Sequence, residues 1–455
     1  MKTRWVVTLM VLPVAMLVMV TTCKRSQISR KPPQPIKIEA DGEWFCYFPS
    51  LHICDSDNDP SGIAGLLLRD GDPIAEENSP LFVYQADDGT VLKLTCEKWN
   101  TRLNGKIVSL ASTEDDDNIE LGREWLEKAS AQDLAAMRQI EVSGELDTKY
   151  LAALRRLATA NPHVAVTGRS NSSLTQVLPL FRPRLLLMVD DFELDASLRS
   201  LLADQKQVET LMVKTRSNRL DFLGTLPNLR RLWISDWNIE EAGPLPPGLK
   251  QLRSLSIWSS NIKDLAALSA VPPELEELSF EDCSELTDMN GLSRFSGLRT
   301  LILNDNEKVI DLSSLGDLRQ LQWVGLPQNI SQEQFAAFVE AHPNLRILDL
   351  TCEKVTDLTP LRKLKKLEGL ILGPSFKDFG VLQGLKSLRY VGLHEKTFEK
   401  SPDQVAALRK ALPETLVVPA STGACLGSGW ILLLPPTVVI WKFFQRRRVN
   451  GSHHA

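Results

Sequence analysis

Leucine spacing restricts what this chain can fold into more than any other feature. Leu229, Leu252, Leu275, Leu298, Leu321, Leu345, Leu367 and Leu388 follow one another at intervals of 23, 23, 23, 23, 24, 22 and 21 residues. Most open the same motif, LxxLxL, as in Leu229/Leu232/Ile234, Leu252/Leu255/Ile257, Leu298/Leu301/Leu303 and Leu345/Leu348/Leu350, with Val324 and Val391 replacing the middle leucine in two copies. Alternation at the last two positions predicts a short strand with one buried face, because side-chain direction in a strand has period two. About fifteen residues remain to return the chain to the next strand, enough for a short helix, a 3₁₀ turn or an extended link. An apolar position and an Asp-Leu pair recur in these returns, as at Ile262-Lys263-Asp264-Leu265 and Val355-Thr356-Asp357-Leu358. Each unit carries some five apolar side chains, worth about 1.5–3 kcal/mol apiece when buried. No unit can bury its face alone, so only stacking yields a core.

This pattern resembles the leucine-rich repeat family, and most closely the short bacterial repeats of internalin type. The resemblance is firm over 208–418. It extends in degenerate form to Val208/Leu211/Val213, Leu187/Val189, Val164/Val166 and Ile140/Val142, so the array is expected to span 137–418. The fold class implied is α/β, a solenoid with one curved parallel sheet. In the family an amide or thiol ladder bonds the turn that follows each strand, and Asn238, Asn261, Cys283, Asn306 and Asn329 fall there. Cys283 and Cys352 are accordingly expected to be structural.

Around the array the texture changes. Residues 1–23 open with Met-Lys-Thr-Arg and run uncharged from Trp5 to Cys23, which predicts a signal peptide or a signal anchor. Cys23 stands where a bacterial lipoprotein would be lipidated, although Thr22 departs from the small residue normally preceding it. A basic, proline-rich linker fills 24–39. A small β-rich domain is expected at 40–112, with a strand at Trp44–Phe48 and hairpins around Asp87-Asp88-Gly89 and Asn104-Gly105. An acidic linker and capping helix take 113–136. Thr415 to Trp441 contains no charged residue, and a cluster ending in Arg446-Arg447-Arg448 follows. That predicts a C-terminal transmembrane segment at 419–444 and a basic cytoplasmic tail at 445–455. Leu412-Pro413-Glu414-Thr415-Leu416 resembles a sortase signal with Leu416 in place of its glycine, but it fits the turn and closing strand of a last repeat better.

Charge supports this topology. Residues 1–35 hold six Lys/Arg and 442–455 hold four, with no acid in either, whereas 36–441 holds 42 bases against 57 acids. Basic tips around an acidic body place the repeats outside the cytoplasm. The same acidity argues against nucleic acid as a partner.

Motifs for catalysis are missing: there is no GxSxG, HExxH, phosphate-binding glycine loop or CxxC. Asp55, Asp57 and Asp59 mimic the start of a calcium loop, but Pro60 occupies the glycine position and Leu66 the closing acidic one. No metal, no cofactor and no enzymatic activity are expected. The surface of the predicted sheet is more informative. Residues flanking the buried leucines point to the concave side, where Trp233, Asp236, Trp258, Glu281, Asp282, Asn304, Asp305 and Trp323 form columns. Exposed tryptophans beside carboxylates suit a protein or glycan partner, in particular a basic or cationic segment. The expectation is therefore a membrane-anchored, outward-facing binding protein. The alternatives are an enzyme with its active site in 40–112 and a self-associating envelope protein.

Overall fold

The computed structural model describes residues 116–420 apart from a few short gaps, together with six isolated strand segments between residues 36 and 111. Two of the early hairpins form separate two-stranded sheets: β1 (Ile36–Ala40) pairs antiparallel with β2 (Glu43–Tyr47), and β3 (Phe82–Gln85) with β4 (Val91–Leu94). The third hairpin, β5 (Asn100–Leu103) and β6 (Lys106–Ala111), forms around Asn104-Gly105 as the sequence predicts. It does not stay separate from the repeats. Strand β6 pairs parallel with β7 (Gln139–Val142), so this hairpin is the first edge of the main sheet.

That sheet has fifteen strands in strict chain order from β5 onward. After β7 come β8 (Ala165–Gly168), β9 (Leu185–Met188), β10 (Thr210–Lys214), β11 (Arg231–Ser235) and β12 (Ser254–Trp258). Then follow β13 (Glu277–Glu281), β14 (Thr300–Ile302), β15 (Trp323–Gly325) and β16 (Ile347–Leu350). Strands β17 (Gly369–Leu372), β18 (Tyr390–His394) and β19 (Leu416–Ala420) complete it. Every neighbouring pair from β6 to β19 is parallel. Register equates Leu211, Leu232, Leu255, Leu278 and Leu301, then Val324, Leu348, Leu370 and Val391. All nine are buried in one continuous core.

The returns differ between the two halves. Early repeats return through α-helices at Thr148–Ala160, Asn171–Val177 and Ala196–Ala203, while most later ones use 3₁₀ turns. The recurring aspartate explains how those turns start. Asp264, Asp288, Asp311, Asp357 and Asp378 each accept the backbone N–H two residues on, at 2.7–2.8 Å, satisfying a donor the turn leaves free.

Two strands correct the sequence reading: in β8 the residues aligned with Leu211 and Val213 are Val166 and Gly168, two places on from the expected Val164/Val166, although both valines are buried in the core. In β9 the core residues are Leu186 and Met188, not Leu187 and Val189, because Leu186 aligns with Leu211. The strand reads Leu-Leu-Leu-Met and all four residues are buried, so its pattern offers no contrast between faces. At the far end Leu412 is buried and the Thr415 hydroxyl donates to the Leu388 carbonyl at 2.6 Å. The sortase-like pentapeptide is thus built into the last repeat.

Among the described residues no helix is long and apolar enough to cross a membrane. The segments assigned to the signal or anchor (1–23, with Cys23) and most of the expected C-terminal span (419–444) lie outside the described residues.

Candidate functional site

The ladder behind the concave face is built first, because it fixes where each strand ends. Asn306 sits fully buried, its amide donating to the carbonyls of Phe280 (2.6 Å) and Asn304 (2.8 Å) while its Oδ1 accepts the Cys283 N–H (3.0 Å). Ser260 donates to the Trp237 carbonyl at 2.6 Å, and Cys283 and Cys352 reach the Ile257 and Pro327 carbonyls. Burial pushes both thiols up to about 12, which keeps them protonated as hydrogen-bond donors. Asn238 and Asn261 lie one place off this buried ladder. They form a second, half-exposed rung, with Asn261 donating to Asn238 Oδ1 at 2.8 Å and accepting from the Ile239 N–H.

Just before the ladder, the chain turns through left-handed backbone at Asp236, Ser259, Asp282 and Asp305, with φ of 58°, 49°, 52° and 59°. Non-glycine residues rarely adopt this conformation, and short polar side chains tolerate it best. Four successive repeats therefore present the same strained corner at the rim of the concave face. Ser259 donates to Asp282 at 3.0 Å, Gln328 donates to Asp305, and Lys214 lies 3.5 Å from Asp236.

The expected tryptophan column needs correction. Trp258 is half-buried, but Trp233 is 3% exposed and Trp323 6%, so only the first of the three stands open at the surface. Register supplies the reason. Trp233 lies between Met212 and Ser256, and Trp323 between Thr300 and Ile347, so each ring is flanked on both sides by residues of strands about 4.8 Å away. These two tryptophans pave the sheet; they do not project from it.

Acids then dominate the middle of the concave face. Glu281 is pushed up to about 7, mainly by burial, with Asp305 and Glu277 adding repulsion against the stabilising Ser279 hydrogen bond. Asp305 is raised for the same reasons, with Asp282 and Glu307 as the neighbouring charges. Asp349, which the sequence did not single out, is also pushed up to about 7 by burial and by Asp305 and Glu281. Asn304 hydrogen-bonds Asp349 and so ties a predicted site residue to an unpredicted one. The predicted residues thus form a stripe: Asp236 at one end, Asp282 exposed, and Trp258, Glu281, Asn304 and Asp305 half-buried along it. The signal that could have revealed Asp349 lay in its column, where Gly325 precedes it and Ile371 follows.

His342 plays no part here. Its ring is buried between the Phe338 carbonyl (2.8 Å) and the Leu315 carbonyl (3.0 Å), joining a helix end to the preceding turn. Among the described residues no three His, Cys, Asp or Glu side chains gather in a way that could hold a metal ion.

No family model and no curated protein matches this sequence. The chain is similar to several solved structures. An internalin (inlF) from Listeria monocytogenes is 16% identical, with 68% of this chain and 89% of that one covered and a TM-score of 0.41. Internalin C2 from the same species is 21% identical over 43% of this chain and 83% of its own, at a TM-score of 0.33. The Toll–Spätzle complex of Drosophila gives 13% identity, 68% and 43% coverage and a TM-score of 0.43. Repeat register, the parallel sheet in chain order and the buried ladder at Ser260, Cys283, Asn306 and Cys352 together give this chain the fold of a leucine-rich-repeat solenoid.

Proposed function

We propose that this chain is a membrane-anchored protein whose repeats face away from the cytoplasm and bind another protein on the concave side. The observation that carries the reading is the stripe from Trp258 through Glu281 and Asp282 to Asp305, an open aromatic beside crowded carboxylates on a rigid sheet. A basic segment of the partner would relieve the repulsion among those acids and could place a cation against the indole of Trp258. The topology rests on the basic tips and apolar ends of the sequence. No cofactor and no catalytic step are invoked.

A photoreactive amino acid at position 258 of the full-length chain, with one at Lys308 on the outer surface as control, tests the binding face. Crosslinks to a discrete partner should come from position 258 and fall several-fold when Asp282→Asn is added. Equal crosslinking from both positions would remove the concave-face assignment. Protease applied to intact cells should cut the repeats; protection until the cells are opened would defeat the outward topology.

A further inference from the structure

Charge on the solenoid is sorted between its two edges. Neighbouring strands are parallel, so the chain approaches every strand along one edge of the sheet and leaves along the other. On leaving β11 to β14 it passes through 236–242, 259–265, 282–288 and 305–311, which hold ten Asp/Glu against two Lys. On approaching β17, β18 and β19 it passes through 362–368, 383–389 and 409–415, which hold eight Lys/Arg against two Glu. A body that is acidic as a whole therefore carries a basic edge on its last three repeats.

The three approach segments are built alike. Leu364, Leu385 and Leu412 are buried, and their carbonyls accept the N–H groups of Leu367, Leu388 and Thr415 at 3.1–3.3 Å. Around these anchors the basic side chains stay outside: Arg362, Lys365, Lys366, Lys386 and Lys410 are all exposed. Adjacent repeats touch along this edge. Lys366 Nζ donates to Asn344 Oδ1 at 2.8 Å and Lys386 Nζ to the Ala411 carbonyl at 3.0 Å. Both acceptors are neutral, so these bonds position the ammonium groups without cancelling their charge. Lys363 and Arg389 differ, being paired with Glu340 and Glu368. Like charges crowded on one edge repel, and an anionic surface laid against them removes that cost.

Where the chain goes next indicates which surface. Strand β19 spans Leu416–Ala420, about 16 Å at the usual rise of a strand, and the sequence then runs uncharged to Trp441. That run is the expected membrane segment, so the last three repeats are the ones its tether holds closest to the bilayer. We propose that their basic edge rests on anionic lipid headgroups of the membrane in which the chain is anchored, with the acidic edge turned away. Exposed lysines on flexible stems suit such a layer of mobile phosphates, whereas a fixed carboxylate would call for the planar fork of an arginine. This rests on the membrane-anchored reading and goes beyond it, since it fixes which edge of the solenoid faces the bilayer.

The experiment reconstitutes full-length protein into phosphatidylcholine vesicles with or without a minority of phosphatidylglycerol. A photoreactive amino acid replaces Gln383, exposed on the basic edge, or Ser284, exposed on the acidic one. Lipid crosslinks from position 383 should rise several-fold with phosphatidylglycerol. They should fall back in high salt and in Lys365→Glu/Lys366→Glu, whose circular dichroism should be unchanged. Position 284 should label little lipid in either vesicle. Equal lipid labelling from 383 in both vesicles, or stronger labelling from 284, would overturn the proposal. Crosslinks from 383 to protein in place of lipid would also overturn it, by making the edge a site for an acidic partner or a second copy. Carbonate extraction reads the anchor separately. If it releases the chain, the membrane-anchored reading fails and flotation of the released protein decides the edge. Flotation with phosphatidylglycerol vesicles alone, lost in Lys365→Glu/Lys366→Glu, would support a lipid-binding edge, and any other result would overturn it.

Discussion

Asp349 and Glu281 carry a stability cost that is visible from their charge state. Both titrate near 7 in the folded chain, well above an ordinary carboxylate, because burial and neighbouring acids disfavour their ionised forms. A raised folded pKa means that the native state holds protons the unfolded chain has released. Their contribution is therefore fully present below about pH 4 and is lost as pH rises through 7. Asp349→Asn should raise the melting temperature at pH 8 by a few degrees, corresponding to about 1–2 kcal/mol after allowing for partial solvent screening. At pH 5, about a third of the way from 3.8 to 7, the gain should be about a third as large. Thermal melts at the two values decide it, and equal effects at both would mean that Asp349 titrates normally. Little of this was legible in the sequence. Asp349 and Tyr390 lie 41 positions apart on β16 and β18, two strands that are not neighbours, and no local motif brings them together. The burial of Trp233 and Trp323 was hidden for the same reason, since it depends on Met212 and Ile347 in neighbouring strands.

Elements were far easier to read, because each repeat is specified locally. Leucine alternation placed β11 to β18 correctly, and the Asp-Leu pairs marked the turns that those aspartates cap. The reading slipped where contrast vanished, in the uniformly apolar β9, and where ladder position depended on one residue of register, at Asn238 and Asn261. That single step has an energetic consequence. Asn306 makes three buried hydrogen bonds to backbone, so Asn306→Ala would strand three groups and should destabilise the chain by about 2–4 kcal/mol. Asn261→Ala, on the half-exposed rung where water can substitute, should cost under about 1 kcal/mol. Chemical denaturation of the two variants separates a buried ladder from a surface one. Similar losses would mean that both rungs bear the same load.

At the scale of the whole molecule, repetition makes the solenoid nearly one-dimensional: each repeat touches its neighbours and little else. A deletion should therefore be judged by phase as well as by length. Removing residues 252–274 takes out one full period, joining Gln251 to Leu275 and laying β13 directly against β11. Leu278 would then meet Leu232, and Cys283 would follow Trp237 in the ladder, so core and hydrogen bonds are both re-formed. This variant should keep a single cooperative unfolding transition at reduced stability. Removing 252–263 instead deletes β12 and leaves half a return segment, which puts polar positions where leucines belong and should abolish cooperative melting. The in-phase deletion also divides the concave face. It loses Trp258 but keeps the acids at Glu281, Asp282 and Asp305 on and beside β13 and β14. The contribution of Trp258 to partner capture should disappear in it. Capture that persists undiminished in the in-phase deletion would show that the partner is held by the remaining repeats and not through Trp258.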